Sequence, residues 1–225
     1  MRIFLVKKVP AVGWSSPTPL NLRPRVLTLA YLCFGLFLFG LGEALLIASG
    51  AGVSPWTVLA QGVARHLGTS IGTATFAVSI LVLLTWIPLR QRPGIGTILN
   101  TVIIAATIEL VLPYLPVAPD FNLQIVHVIT GVMLVGLGSG IYLVANLGAG
   151  PRDGLMTGLQ RVTGFPIAWV RVGIEITVVA IGWMLGGVVG FGTVVFALGI
   201  GPAVSVGLYL TAWVTGNKDN KASGV

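Results

Sequence analysis

Two stretches of the chain carry polar residues four positions apart, a spacing that places them on one face of an α-helix. These polar stripes consist of Thr57, Gln61 and Arg65 in the first stretch and of Asp153, Thr157 and Arg161 in the second. Hydroxyl, amide and guanidinium groups on a shared face can bind a polar solute, and the arginines favour an anionic or zwitterionic one. An amphipathic helix with its polar face in the lipid headgroup layer is the alternative.

A glycine-rich segment precedes each stripe, at residues 50–52 and 148–150, and a proline follows each segment. Backbone N–H groups at a helix start attract anions. Arg152 adds a positive charge at the second start, where the first copy has Trp56. We therefore expect Arg152 to bind substrate together with the two polar stripes.

Acidic residues inside apolar runs are costly in a membrane and point to function. Glu109 and Glu175 are candidates for coupling to an ion or proton, and Glu43 also lies in an apolar run. A local contact at a helix end is the alternative for Glu109. An ion pair with Arg171, one turn earlier, is the alternative for Glu175.

Motifs for catalysis, cofactors and metals are missing from the sequence. His66 and His127 have no second ligand at metal-binding spacing, and Cys33 is the single cysteine. The G-x-G pairs lack the rest of a nucleotide-binding fingerprint and predict tight turns. We expect no enzyme activity, no cofactor and no metal.

The chain is a duplication with an offset of 96 positions. Glycine and proline fix backbone geometry, so their agreement in register over more than sixty residues indicates two copies of one unit. The structural motif of this unit comprises Gly50, Gly52, Pro55, Gly94 and Gly96 in the first copy and Gly148, Gly150, Pro151, Gly190 and Gly192 in the second.

Composition places the protein in a lipid bilayer, since 55% of its residues are apolar and 8% are charged. Six apolar runs are long enough to span, at residues 27–47, 69–89, 95–113, 124–146, 167–186 and 191–213. The net charge of +7 comes from residues at the ends of these runs, which argues against a nucleic-acid partner. The stretches after Pro55 and Pro151 are too short to cross. We expect an all-α protein with six transmembrane helices and two short re-entrant or interfacial helices.

The basic residues predict the topology. They favour a cytoplasmic arm at residues 1–26, membrane repeats at 27–118 and 119–214, and a cytoplasmic tail at 215–225. Three spans per copy is an odd number, so the second copy enters the membrane in the opposite orientation and the repeat is inverted. Inverted repeats recur in secondary transporters. We expect either a transporter or permeation protein for a small solute, or a membrane scaffold for an enzyme. The sequence leaves open whether the protein forms a homo-oligomer.

The sequence resembles the YczE-like bacterial integral membrane proteins, which include the YczE and YitT types. The resemblance rests on residues 50–59, on PGIGT and the asparagine that follows, and on GAGPRDGLM at 148–156. It implies a multi-pass protein of the bacterial plasma membrane whose biochemical function is undefined. The implied signature positions are Pro93, Gly94, Gly96, Thr97, Asn100, Gly148, Gly150, Pro151, Arg152 and Asp153.

Overall fold

The computed structural model describes residues 9–216, which form α-helices, one 3-10 turn and no β-strand. The 3-10 turn covers Leu112–Tyr114. The helices are α1 (Val26–Ser49), α2 (Pro55–Leu67), α3 (Ile71–Thr85), α4 (Ile95–Val111), α5 (Phe121–Ala145), α6 (Pro151–Thr163), α7 (Ile167–Met184) and α8 (Phe191–Gly216). The all-α prediction is confirmed. So are the two short helices, α2 and α6, which have 13 residues each and begin at proline.

Five helical segments of the described region are long and apolar enough to cross a membrane, namely α1, α4 together with the 3-10 turn that follows it, α5, α7 and α8. A sixth span results if α2 and α3, which meet at 113°, count as one. Helix α3 has 15 residues and is shorter than the predicted span at 69–89. It ends because the chain turns at Trp86, whose buried indole N–H donates to the Pro151 carbonyl of α6 at 3.0 Å.

The backbone repeats with the offset seen in the sequence. Helices α6, α7 and α8 begin 96 positions after α2, α3 and α4. Residues with positive φ recur at the same offset, as in Gly52 (φ 108°) and Gly148 (φ 116°). The other pairs are Gly50 with Asn146, Gly68 with Gly164, and Arg90 with Gly186. Each half of the described chain therefore folds into the same four-helix unit.

Helices α1 and α5 cross at glycines so closely that their backbones touch. A Cβ atom added at Gly35 would lie 2.9 Å from the Gly138 carbonyl oxygen, and one at Gly42 would lie 2.6 Å from that of Gly131. From one contact to the other, the residue number increases in α1 and decreases in α5, so the two helices are antiparallel. Gly35 corresponds to Gly131 and Gly42 to Gly138, which is the reciprocal pattern of a two-fold contact.

The glycine-rich loop of each half packs on a helix start in the other half. Gly96 N–H donates to the Leu147 carbonyl at 2.7 Å, and the equivalent Gly192 N–H donates to the Ala51 carbonyl at 2.9 Å. A Cβ atom at Gly94 would lie only 2.3 Å from the Leu147 oxygen. The G-x-G glycines thus permit close approach of two backbones at the helix starts, a role that the expected tight turns did not include.

The segment before α1 packs on the C-terminal end of α5. Trp14 is buried and stacks on Tyr31 at 4.5 Å between ring centroids. Ser16 N–H donates to the Ala145 carbonyl at 3.0 Å, and the Asn146 amide donates to the Ser16 carbonyl at 2.8 Å. The predicted arm is therefore part of the fold from residue 9 onward. Residues 1–8 of the arm and 217–225 of the tail lie outside the described part.

Candidate functional site

A cavity of about 390 Å³ lies between the two halves, at the N-terminal ends of α2 and α6. Helices α1, α4, α5, α7 and α8 complete its wall. Six positions line it from both copies at the offset of 96. They are Phe39 and Val135, Ser54 and Gly150, Pro55 and Pro151, Trp56 and Arg152, Asn100 and Phe196, and Ile104 and Ile200. The cavity therefore lies at the interface between the repeats.

The polar wall of this cavity comes mainly from the second copy. Its polar side chains are Ser54, Asn100, Ser139, Tyr142, Arg152, Asp153, Arg171, Glu175 and Ser205. All four charged residues among them follow position 150, and their first-copy counterparts are uncharged. Similar backbones thus enclose an electrostatically asymmetric site, in which the charges lie nearer to α6 and α7.

Arg152 is the central cation of the cavity. Its guanidinium carbon lies 5.5 Å from the centre of the Trp56 ring and 5.9 Å from that of Phe39, within the range of cation–π attraction. It forms no ion pair with the residues that the structure describes. The planar guanidinium has five N–H donors, so Arg152 can bind a carboxylate or phosphate group through two parallel hydrogen bonds.

Asp153, Tyr142 and Asn100 form a second polar group in the same wall. The Tyr142 hydroxyl donates to Asp153 Oδ2 at 2.6 Å. A Cβ atom at Gly150 would lie 3.2 Å from Asp153 Oδ2 and 3.3 Å from Asn100 Nδ2. The missing side chain at Gly150 leaves room for a ligand group between them. An ammonium or hydroxyl group is the chemical match for this carboxylate.

Arg171 and Glu175 form the expected i, i+4 ion pair, with Arg171 Nε 2.8 Å from Glu175 Oε1. Both residues line the cavity, and the Arg171 side chain is 47% exposed. The alternative that the sequence left open is therefore realised for this pair. Coupling through Glu175 stays a prediction.

The other predicted site residues lie outside the cavity lining. The Gln61 side-chain oxygen accepts from Val188 N–H at 3.0 Å, and the Glu109 carboxylate accepts from Ser70 at 2.5 Å. Both contacts join neighbouring segments of the protein. Arg65 donates to the Gly186 carbonyl and Arg161 to the Leu89 carbonyl, and these contacts join segments as well. Thr157 donates to the Gly154 carbonyl within α6 itself. The structure brings Arg152, Asp153 and Glu175 together and leaves the rest of the stripes apart from them.

Sequence reasoning missed the cluster of Glu43, Ser54 and Thr57 behind the cavity wall. Glu43 is fully buried and accepts hydrogen bonds from the Ser54 and Thr57 hydroxyls. An acid inside an apolar run was the available signal, but the serine before Pro55 gave no hint of its partner. Within residues 9–216, no group of three or more His, Cys, Asp and Glu side chains could hold a metal ion.

Long apolar helices around a polar cavity define a multi-pass integral membrane protein. The chain belongs to DUF6198, a family of unknown function, whose model matches residues 26–208. It is 38% identical to an uncharacterized protein of Haemophilus influenzae over 92% of this chain and 94% of that protein. It is 35% identical to the uncharacterized membrane protein YczE of Bacillus subtilis over 77% of this chain and 81% of that protein. The predicted resemblance is confirmed. No solved structure matches the chain.

Proposed function

We propose that the protein is a secondary transporter or permeation protein that moves a small anionic or zwitterionic solute through the interface between two inverted repeats. The observation that carries this proposal is the polar cavity between the repeats, whose wall includes Arg152 without an ion-pair partner in the described part of the chain. A charge of this kind inside a membrane protein is costly unless water or a ligand compensates it. The cost is consistent with a site that takes up an anion.

The antiparallel contact of α1 and α5 supports an inverted repeat. The equivalent helices α1 and α5 run in opposite directions, so the two halves are related by a two-fold axis that is perpendicular to these helices. Such an axis would lie in the membrane plane, as in many transporters. The distribution of Lys and Arg supports a location of both termini in the cytoplasm. A transport cycle would then expose the cavity to each side of the membrane in turn.

The size and chemistry of the cavity set the class of solute. A volume of about 390 Å³ lies near the lower end of small-molecule pockets, so a metabolite with few non-hydrogen atoms fits. Arg152 would bind its carboxylate or phosphate group between Phe39 and Trp56. In a zwitterion, Asp153 would bind the ammonium group.

Thermal stability of the purified protein against anionic, zwitterionic and cationic metabolites tests this assignment. A solute that binds only the folded protein raises its apparent stability by mass action. We expect an anionic or zwitterionic solute to stabilise the wild type and to lose this effect in Arg152→Gln. The exposed Arg92 lies outside the cavity lining, and Arg92→Gln is the matched control that keeps the effect. Stabilisation that survives in Arg152→Gln would contradict the proposed site.

A membrane scaffold without a transport cycle is the second candidate. The backbone contacts between α1 and α5 favour it, since helices that touch at Gly35 and Gly138 leave little room for one half to move against the other. A metabolite panel that gives no stabilisation, with Arg152→Gln as stable as the wild type, would favour the scaffold.

A further inference from the structure

Glu43 is a carboxyl group enclosed at the centre of the fold. It lies in the C-terminal half of α1, its exposed fraction is 0%, and its repeat counterpart is Ser139. A permanently ionised carboxylate is expensive at such a position, and buried carboxyl groups are accordingly paired or protonated. No Lys, Arg or His of the described chain forms an ion pair with it.

The hydrogen bonds of Glu43 suit both of its protonation states. Thr57 Oγ1 lies 2.8 Å from Glu43 Oε2, Ser54 Oγ lies 2.9 Å from each carboxylate oxygen, and the two hydroxyl oxygens are 3.0 Å apart. An ionised Glu43 accepts one hydrogen bond from each hydroxyl. A protonated Glu43 can donate to Ser54 Oγ while Ser54 donates to Thr57 Oγ1. Rotation of the hydroxyl groups alone therefore accommodates a proton.

Ser54 connects this carboxyl group to the cavity, because it bonds Glu43 and lines the cavity wall. Arg152 of α6 lies close to this carboxyl group, because its guanidinium packs over Phe39, one turn before Glu43 in α1, and over Trp56, two residues after Ser54. The titratable residues of α4 and α5, which also pack on α1, are Glu109, His127 and Tyr142, and none of them bonds Glu43. The ionised Glu43 and an anion in the cavity would thus compete for the same positive charge.

We propose that Glu43 is the proton-binding site of the protein and that its protonation is linked to anion binding at Arg152. This inference rests on the proposed function. With Glu43 ionised, its charge offsets that of Arg152 and anions bind weakly. Once Glu43 takes a proton from the cavity through Ser54, Arg152 attracts an anion more strongly, although Asp153 and Glu175 still lie in the same wall. By linkage, a bound anion favours the protonated acid to the same extent, so anion and proton travel together.

Infrared spectroscopy of the full-length protein in lipid tests this without any solute. A protonated carboxylic acid has a carbonyl stretch that the carboxylate lacks, and the chain has six acidic residues. We expect a carbonyl band that titrates in the wild type, disappears in Glu43→Gln and persists in Glu109→Gln. Glu109 is the matched control because it is exposed and bonds Ser70 away from the cavity. A titrating band that is unchanged in Glu43→Gln would overturn the proton site.

Arg152→Gln tests the link between the two residues in the same measurement. Removal of the cation withdraws the charge that favours ionised Glu43, so the protonated fraction at a given pH should rise. An unchanged titration would overturn the linkage. If Glu43→Gln does not fold, Thr57→Val removes one hydroxyl partner and should shift the position of the band, and an unshifted band would refute the assignment. These results are independent of any transported solute, so the proton site can fail while transport stands, and the reverse.

Discussion

Alanine at Gly138 should push α1 and α5 apart. Its Cβ atom would lie 2.4 Å from the Gly35 carbonyl oxygen and 2.6 Å from Phe39 N, whereas ordinary contact begins at 3.4 Å. The helices must therefore separate by about 1 Å, since backbone atoms have no other rotamer to adopt. Overpacking of this kind costs about 1–3 kcal/mol, and the better helix propensity of alanine returns up to about 1 kcal/mol. We therefore expect a net loss of up to about 2 kcal/mol relative to the wild type, and of about 1–3 kcal/mol relative to a glycine-to-alanine change that meets no clash.

The two-fold pattern makes this prediction sharper. Gly42 is the repeat equivalent of Gly138, and a Cβ atom there would lie 2.6 Å from the Gly131 oxygen and 2.8 Å from Val135 N. Gly42→Ala should therefore destabilise the protein by a similar amount. Gly173→Ala is the control, because nothing lies within 4 Å of a Cβ atom at that position in α7.

Unfolding of the purified protein in mixed micelles, followed as the fraction of SDS is raised, measures these differences. The reasoning is refuted if Gly138→Ala is as stable as Gly173→Ala. It is also refuted if Gly42→Ala and Gly138→Ala differ by more than about 2 kcal/mol, because equivalent contacts should carry equivalent costs.

Three further glycine substitutions separate binding from folding. Gly150 has φ −62°, which alanine tolerates, so Gly150→Ala should fold normally. The added methyl group fills the space beside Asp153 and should weaken solute binding roughly tenfold, or about 1.4 kcal/mol. The weaker binding would be measured as a smaller ligand-induced thermal shift. Equal binding in this variant would contradict the assigned ligand position. Gly52 and Gly148 have φ 108° and 116°, so alanine at either should destabilise the fold by about 1–3 kcal/mol in the same SDS titration. Wild-type stability in either variant would contradict the backbone described here.

The first residue of each short helix could be predicted because two independent signals agree on it. Proline is favoured in the first turn of a helix, and the duplication repeats Pro55 at Pro151 with the same glycines around it. The apolar runs predicted five of the spans for a similar reason. An apolar run is a property of one segment of the sequence, so it can be recognised without knowing which helices pack against that segment.

The partners of the polar stripes could not be predicted in this way. Periodicity shows that Gln61 and Arg65 share a helix face, but the same pattern fits a face in water and a face bonded to backbone atoms more than 100 positions away. The length of α3 depends likewise on Trp86, whose indole bonds a carbonyl in the other repeat. Both kinds of contact join residues that are far apart in the sequence, so local sequence patterns do not reveal them.

A solute site at the interface between the repeats was expected, but most residues of the cavity wall could not be predicted, because seven helices contribute to it. Tyr142 and Asp153 are 11 positions apart, in two helices that are separated by a loop, and only the tertiary fold brings them to 2.6 Å. Arg152 was identified from its place at a helix start. Its lack of an ionic partner among residues 9–216 is a property of the packed structure.

Access to the cavity from the two sides of the membrane tests the central claim most directly. Cys33 is the single native cysteine, so Cys33→Ala combined with Ser205→Cys places one thiol in the cavity wall. We would measure its labelling by a membrane-impermeant thiol reagent, added first from outside and then from inside oriented vesicles. Labelling from each side in turn, at rates that a bound anion lowers, is the result that we predict for a transport site between inverted repeats. Labelling from one side alone, unaffected by any anion, would contradict it.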